Sequence, residues 1–199
     1  DAGVRTSALL TDMNTPLGRA VGNAVEVAES LEVLDGGGPA DVVELTLALA
    51  REMLDAAGLS AADPAEHLAN GRAMDSWRAM IAAQGGDPDG SLPIARHQEV
   101  VTAPAEGVIV SMDARAVGDA AWRLGAGRSR PGESVQAEAG VIIHAKPGDR
   151  VRTGDALFTL HTQTPERVAG ARSALVDAVV VGTDREVTPG PLVLDRVTA

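Results

Sequence analysis

The 199 residues include no cysteine and no tyrosine, and Lys146 is the only lysine. Without thiols there is no disulfide framework, thiolate nucleophile or zinc–thiolate centre. The three aromatic side chains, Trp77, Trp122 and Phe158, offer no platform for stacking bases. Ala, Val, Leu and Ile must therefore build the core. No apolar run approaches the roughly 20 residues of a membrane span. A basic stripe is lacking as well: 28 acidic against 17 basic side chains give a formal net charge of −11. That balance disfavours nucleic acids and anionic membrane surfaces as partners. No leader segment is visible. The expectation is a soluble, cytoplasmic protein of bacterial type, with no nucleic-acid and no membrane partner.

What remains is globular in composition, 45% hydrophobic and 23% charged, and long enough for one large domain or two small ones. The chain opens on Asp1-Ala2-Gly3 and runs almost at once into Val4–Leu10, which reads as a cut inside a domain. That apolar run reads as a buried strand of a parallel sheet. Asn14-Thr15-Pro16 then offers an N-cap and a first-turn proline. Apolar residues from Leu17 to Leu31 follow at helical spacing, up to Gly36-Gly37-Gly38. A second helix is predicted from Pro39 to Gly58. A third opens on Asp63-Pro64-Ala65-Glu66, a capping-box spacing, and runs to Gln84. After a turn-rich joint at 87–93 the texture changes to short strands at 100–103, 107–112, 140–145 and 156–161. Helices are predicted at 114–124 and 165–180, with a closing strand at 191–197. The fold class read from this pattern is α/β plus α+β. Residues 1–94 would be a partial α/β lobe with one parallel-type strand and three helices, and 95–199 a hammerhead-like α+β domain.

Familiar catalytic constellations are missing. Gly125-Ala126-Gly127-Arg128 is too short for a dinucleotide fingerprint and follows a helix. Gly36-Gly37-Gly38 reads as a helix stop in preference to a phosphate cradle. His67, His97, His144 and His161 show no ligand spacing, and Glu26, Glu29 and Glu32 read as a solvated helix face. One feature stands out. Gly18 and Gly22 fall inside the predicted first helix, each at a cost of about 1 kcal/mol relative to alanine. Either another segment packs closely there, or the first turn is distorted and aims its carbonyls elsewhere, an arrangement that suits a hard cation.

The segment from Ser7 to Val27, with Thr11-Asp12-Met13-Asn14-Thr15-Pro16-Leu17-Gly18-Arg19-Ala20-Val21-Gly22-Asn23-Ala24 inside it, closely resembles the signature segment of the thymidine and pyrimidine-nucleoside phosphorylases. Gly38-Pro39-Ala40-Asp41, Gln84-Gly85-Gly86-Asp87, Leu124-Gly125-Ala126-Gly127-Arg128 and His144-Ala145-Lys146-Pro147-Gly148-Asp149 continue the likeness in collinear order. The resemblance implies a homodimeric pentosyltransferase of nucleoside salvage, which cleaves thymidine with phosphate to thymine and 2-deoxyribose 1-phosphate. Phosphate and a pyrimidine deoxynucleoside would be its partners, and the chain would be the C-terminal half of the subunit. A broader pyrimidine-nucleoside phosphorylase is the nearest alternative. The family's Lys-His-Ser-Thr-Gly-Gly phosphate loop and its base-holding Arg, Ser and Lys have no counterpart here, so this chain alone is expected to be inactive and to hold no catalytic residue. The resemblance implies no required cofactor, and a structural cation, potassium or calcium, in the complete enzyme. By that resemblance its ligands here would be the carbonyls of Leu17 and Ala20 and the carboxylate of Glu29.

A non-catalytic reading competes. Val101–Ile109 and Gly148–Leu157 resemble the two halves of biotinyl and lipoyl carrier domains. A carrier needs a lysine at an exposed hairpin tip, whereas the interval between these strand pairs holds a predicted helix and no lysine. Lys146, before Pro147-Gly148, reads as a turn residue. A purely structural role is the remaining reading for residues 100–199.

Overall fold

The computed structural model describes residues 3, 6–182, 187 and 190–198. It contains six helices and nine strands among those residues, and it resolves into two compact units. One unit comprises residues 1–12, 30–90 and 190–199; the other comprises 13–29 and 91–189. The chain thus passes between units several times, and one passage lies inside helix α1 (Ala24–Leu34).

In the first unit, β1 (Ser7–Thr11) pairs antiparallel with β9 (Val193–Thr198), with Ser7 opposite Thr198 and a register shift at Leu10/Thr11. The expectation of a buried, parallel-type strand is therefore corrected. The apolar run suggested burial on both faces, but this sheet has two strands and Leu10 is half exposed. Helix α2 (Ala40–Ala56) begins at Pro39 as expected. The predicted third helix is two: α3 (Pro64–Ala69), capped by Asp63 accepting from the Ala65 N–H, and α4 (Arg72–Ala83). Gly71 at φ +81° breaks the run, because a left-handed residue cannot continue a right-handed helix. Together with α1 this region carries four helices in place of three.

The second unit holds the core. A four-stranded antiparallel sheet runs in the order β2 (Ala20–Gly22), β5 (Gly140–Ile143), β7 (Ala156–Thr162), β3 (His97–Thr102). A second sheet runs β6 (Arg150–Val151), β4 (Gly107–Met112), β8 (Val179–Gly182). Period-2 alternation sends Phe158, Leu160 and Thr162 of β7 inward. They join Val141, Ile143, Ile109 and Met112 with Val117 of α5 (Ala114–Ala121) and Ala171 of α6 (Val168–Ala174). The predicted 165–180 helix is shorter than expected: a 3₁₀ turn (Pro165–Arg167), α6, then strand β8.

The largest correction concerns Asn14–Asn23. No helix starts at Pro16; the segment is an irregular turn leading into β2, and α1 begins only at Ala24. Apolar spacing of three and four residues mimicked a helix. The glycines are turn and strand residues, Gly18 at φ +67° and Gly22 at φ +151°, so they impose no cost on a helix.

Candidate functional site

The cation ligands expected from the resemblance lie on this irregular turn and on α1. Ile143 N–H donates to Arg19 O at 2.7 Å and Asn23 N–H donates to Ala139 O at 3.2 Å, which places residues 19 and 23 in hydrogen-bonded pairs of the β2–β5 ladder. Alternation then makes the Ala20–Ile142 pair a non-hydrogen-bonded one. Because β2 is an edge strand, the Ala20 carbonyl points away from the sheet. Leu17 is exposed while its neighbours Pro16 and Gly18 are buried. Glu29 Oε1 accepts the Arg19 N–H at 2.7 Å, drawing the α1 carboxylate against the turn. One turn earlier, Glu26 Oε1 accepts the Gly22 N–H at 2.7 Å, much as a capping box closes a helix start.

The structure thus brings Arg19, next to Ala20, and Glu29 together. All three expected donors are oxygens, which suits a hard cation such as K⁺ or Ca²⁺ in type. They fall short of the roughly six to eight oxygens that calcium takes, so water or further groups would have to complete the shell. Among the described residues no three His, Asp or Glu side chains gather as a metal cluster.

Sequence reading missed the side chain of Lys146. Its backbone does form a turn: Lys146 N–H donates to Asp149 Oδ2 at 2.8 Å, and Asp149 N–H donates to Lys146 O at 2.9 Å. Its ammonium, however, donates to Pro16 O at 2.8 Å and Gly18 O at 2.9 Å. In return Arg19 Nη1 donates to His144 O at 2.7 Å. The only available signal was that the chain's single lysine stands in one of the family-like motifs.

Other candidates resolve into structural roles. The Gly36 and Gly37 N–H groups donate back to Val33 O and Glu32 O, so the glycine triplet stops α1 and does not offer those donors to a phosphate. Gly125 at φ +114° sits in an irregular turn at 122–126, where a Cβ would meet the Gln136 side chain at 2.9 Å. Gln136 Oε1 in turn accepts from Thr162 Oγ1 and the Gln163 N–H. His144 Nε2 lies 2.7 Å from Thr159 Oγ1. Burial, with a smaller contribution from the charge of His144, pushes the His161 imidazole below its usual range.

In the first unit, Glu52 of α2 accepts from Arg196 Nη2 of β9 and from Ser7 Oγ of β1, each at 3.0 Å. The Arg196 hydrogen bond holds its carboxyl below the usual carboxylate range. A lowered folded pKa means that this contribution to stability is present above the unfolded pKa and is lost as pH falls through the folded value. We expect Arg196→Leu to raise the Glu52 midpoint in an NMR titration toward the ordinary value. An unmoved midpoint would rule the pair out as the cause.

Comparison with known proteins places these features. Residues 108–182, from β4 to β8, match the pyrimidine nucleoside phosphorylase C-terminal domain. Across 195 residues, 98% of this chain, the sequence is 58% identical to the thymidine phosphorylase of Mycobacterium tuberculosis (strain H37Rv), covering 45% of that protein. It is 34% identical to the pyrimidine-nucleoside phosphorylase of Staphylococcus haemolyticus over 81% of this chain and 40% of the relative. Against the Geobacillus stearothermophilus pyrimidine-nucleoside phosphorylase it is 32% identical, over 98% of this chain and 47% of the relative. Along nearly its whole length the chain is similar to the C-terminal half of the M. tuberculosis protein. It spans a little under half the length of the curated relatives it matches.

Proposed function

We propose that this chain is the C-terminal half of a thymidine phosphorylase, which transfers deoxyribose from thymidine to phosphate. The observation that carries the reading is 58% identity to a thymidine phosphorylase over nearly the whole chain, against 34% and 32% to pyrimidine-nucleoside phosphorylases. Along the sequence, residues 1–94 would then be the last part of the α/β lobe and 95–199 the C-terminal α+β domain, within which the family match at 108–182 lies, although residues 13–29 pack within the second compact unit and 190–199 within the first. The complete enzyme would act as a cytoplasmic homodimer.

Phosphorolysis needs cationic and N–H donors that hold phosphate and meet the charge developing on the departing base. The family's phosphate loop and base-holding Arg, Ser and Lys have no counterpart in this sequence, and its one lysine ammonium is engaged with two backbone carbonyls. The reacting groups would therefore come from outside these residues, and this half would supply scaffold and part of a structural cation site. Leu17 O, Ala20 O and a Glu29 oxygen would hold K⁺ or Ca²⁺ there; when bound, the ion supplies fixed positive charge that ties the turn to α1.

The test is a polypeptide carrying these residues as its C-terminal half. It should release thymine from thymidine only when phosphate is present, and faster than it releases uracil from uridine. No phosphate-dependent release would overturn the reading, and equal rates would favour the broader pyrimidine enzyme.

A further inference from the structure

Two cations cross between the same two stretches of chain in opposite directions. Arg19 reaches from the 14–20 segment to the His144 carbonyl at 2.7 Å. Lys146 reaches back to the carbonyls of Pro16 and Gly18 at 2.8 and 2.9 Å. Two backbone bonds flank this exchange, Ile143 N–H to Arg19 O at 2.7 Å and Ala114 N–H to Asn14 O at 3.0 Å. Pro16 and Gly18 are buried, and buried carbonyls outside a ladder need a donor. An ammonium meets that need with charge-assisted bonds, roughly twice as strong as neutral ones. The two carbonyls it holds belong to the residues on either side of Leu17. The lysine stem itself rises from a turn fixed by Asp149.

We propose that Lys146 is a positioning residue: its ammonium fixes the Asn14–Ala20 segment in the conformation that presents the Leu17 and Ala20 carbonyls beside Glu29. The cation part of this inference rests on the reading given under Proposed function. Two opposed effects make it testable. A positive charge beside a cation site repels the ion, so if Lys146 acted by charge alone its removal would tighten cation binding. If Lys146 acts by positioning, its removal weakens binding.

The experiment compares the full chain with its Lys146→Met and Lys146→Arg variants by hydrogen exchange and by titration with K⁺ and with Ca²⁺. In Lys146→Met the Arg19 and Ala114 amides should exchange at least about tenfold faster, as loss of a charge-assisted bond implies. The Val141 and Leu160 amides should keep their protection, and Lys146→Arg should recover part of the loss. Ion affinity should fall in Lys146→Met and return in part in Lys146→Arg. Unchanged exchange at Arg19 and Ala114 overturns the positioning role, and so does tighter ion binding. If the unaltered chain binds neither ion, the cation reading falls while the exchange result still decides the role of Lys146. Should Lys146→Met fail to fold, acetylation of the folded chain, where Lys146 is the only side-chain amine, gives the same exchange readout.

Discussion

Replacing Gly140 by alanine should lower stability by about 2–3 kcal/mol, the cost of forcing atoms into a packed site. A Cβ on Gly140 would lie 2.7 Å from Val21 O and 2.6 Å from Val25 Cγ2. Across the ladder, Gly22 faces Gly140, and a Cβ there would meet Ala139 O at 2.5 Å and the Gly140 Cα at 2.6 Å. Glycine on both strands lets β2 close on β5 without side chains between them, which sets the edge strand carrying Ala20. Gly118 of α5 is the control, since nothing lies within 4 Å of its would-be Cβ. Gly118→Ala should stabilise by about 0.5–1 kcal/mol through helix propensity and loss of unfolded-state freedom. Denaturant midpoints should therefore move in opposite directions for the two variants. A midpoint unchanged in Gly140→Ala would mean that the strands do not approach as described.

Hydrogen exchange should divide the chain as sharply. Among the described residues of the first unit only Val33 is buried, and α2, α3 and α4 bury no residue. Leu49, Met53 and Met80 are exposed, and the Trp77 indole N–H is closed off with no acceptor. Fourteen acidic against five basic side chains also lie in this unit, compared with fourteen against twelve in the other. Little burial and self-repulsion both favour local opening. Amides of β5 and β7, over Val141, Phe158 and Leu160, should exchange on the order of a thousandfold more slowly than those of α2 and α4. Comparable protection in both units would contradict the picture of one well-packed and one thinly packed unit.

The elements legible in the sequence were those whose local signals agreed with their surroundings. Strands β4 and β7 are short apolar runs set off by Gly107 and Gly154, and Asp113 caps α5 by accepting from the Arg115 and Ala116 N–H groups. Where a signal depends on distant chain, it misled. The spacing of Leu17, Ala20, Val21 and Ala24 is helical, yet Lys146 and β5 hold that segment as a turn and a strand. Strand β1 reads as doubly buried because composition does not reveal how many strands a sheet has. Gly18 and Gly22 are anomalous for a helix, and their positive φ explains them. Lys146 was legible as a turn residue but not as a donor, because its partners lie 128 and 130 residues away.

On the proposed reading this half carries packing, an edge strand and carbonyls held by Lys146, and the reacting groups would come from outside these residues. The most direct test is a phosphorolysis assay on the purified 199-residue chain with thymidine and phosphate. The account predicts no thymine above the background of an enzyme-free control. Phosphate-dependent thymine release that co-purifies with this chain would contradict it, placing the phosphate and base sites within these residues.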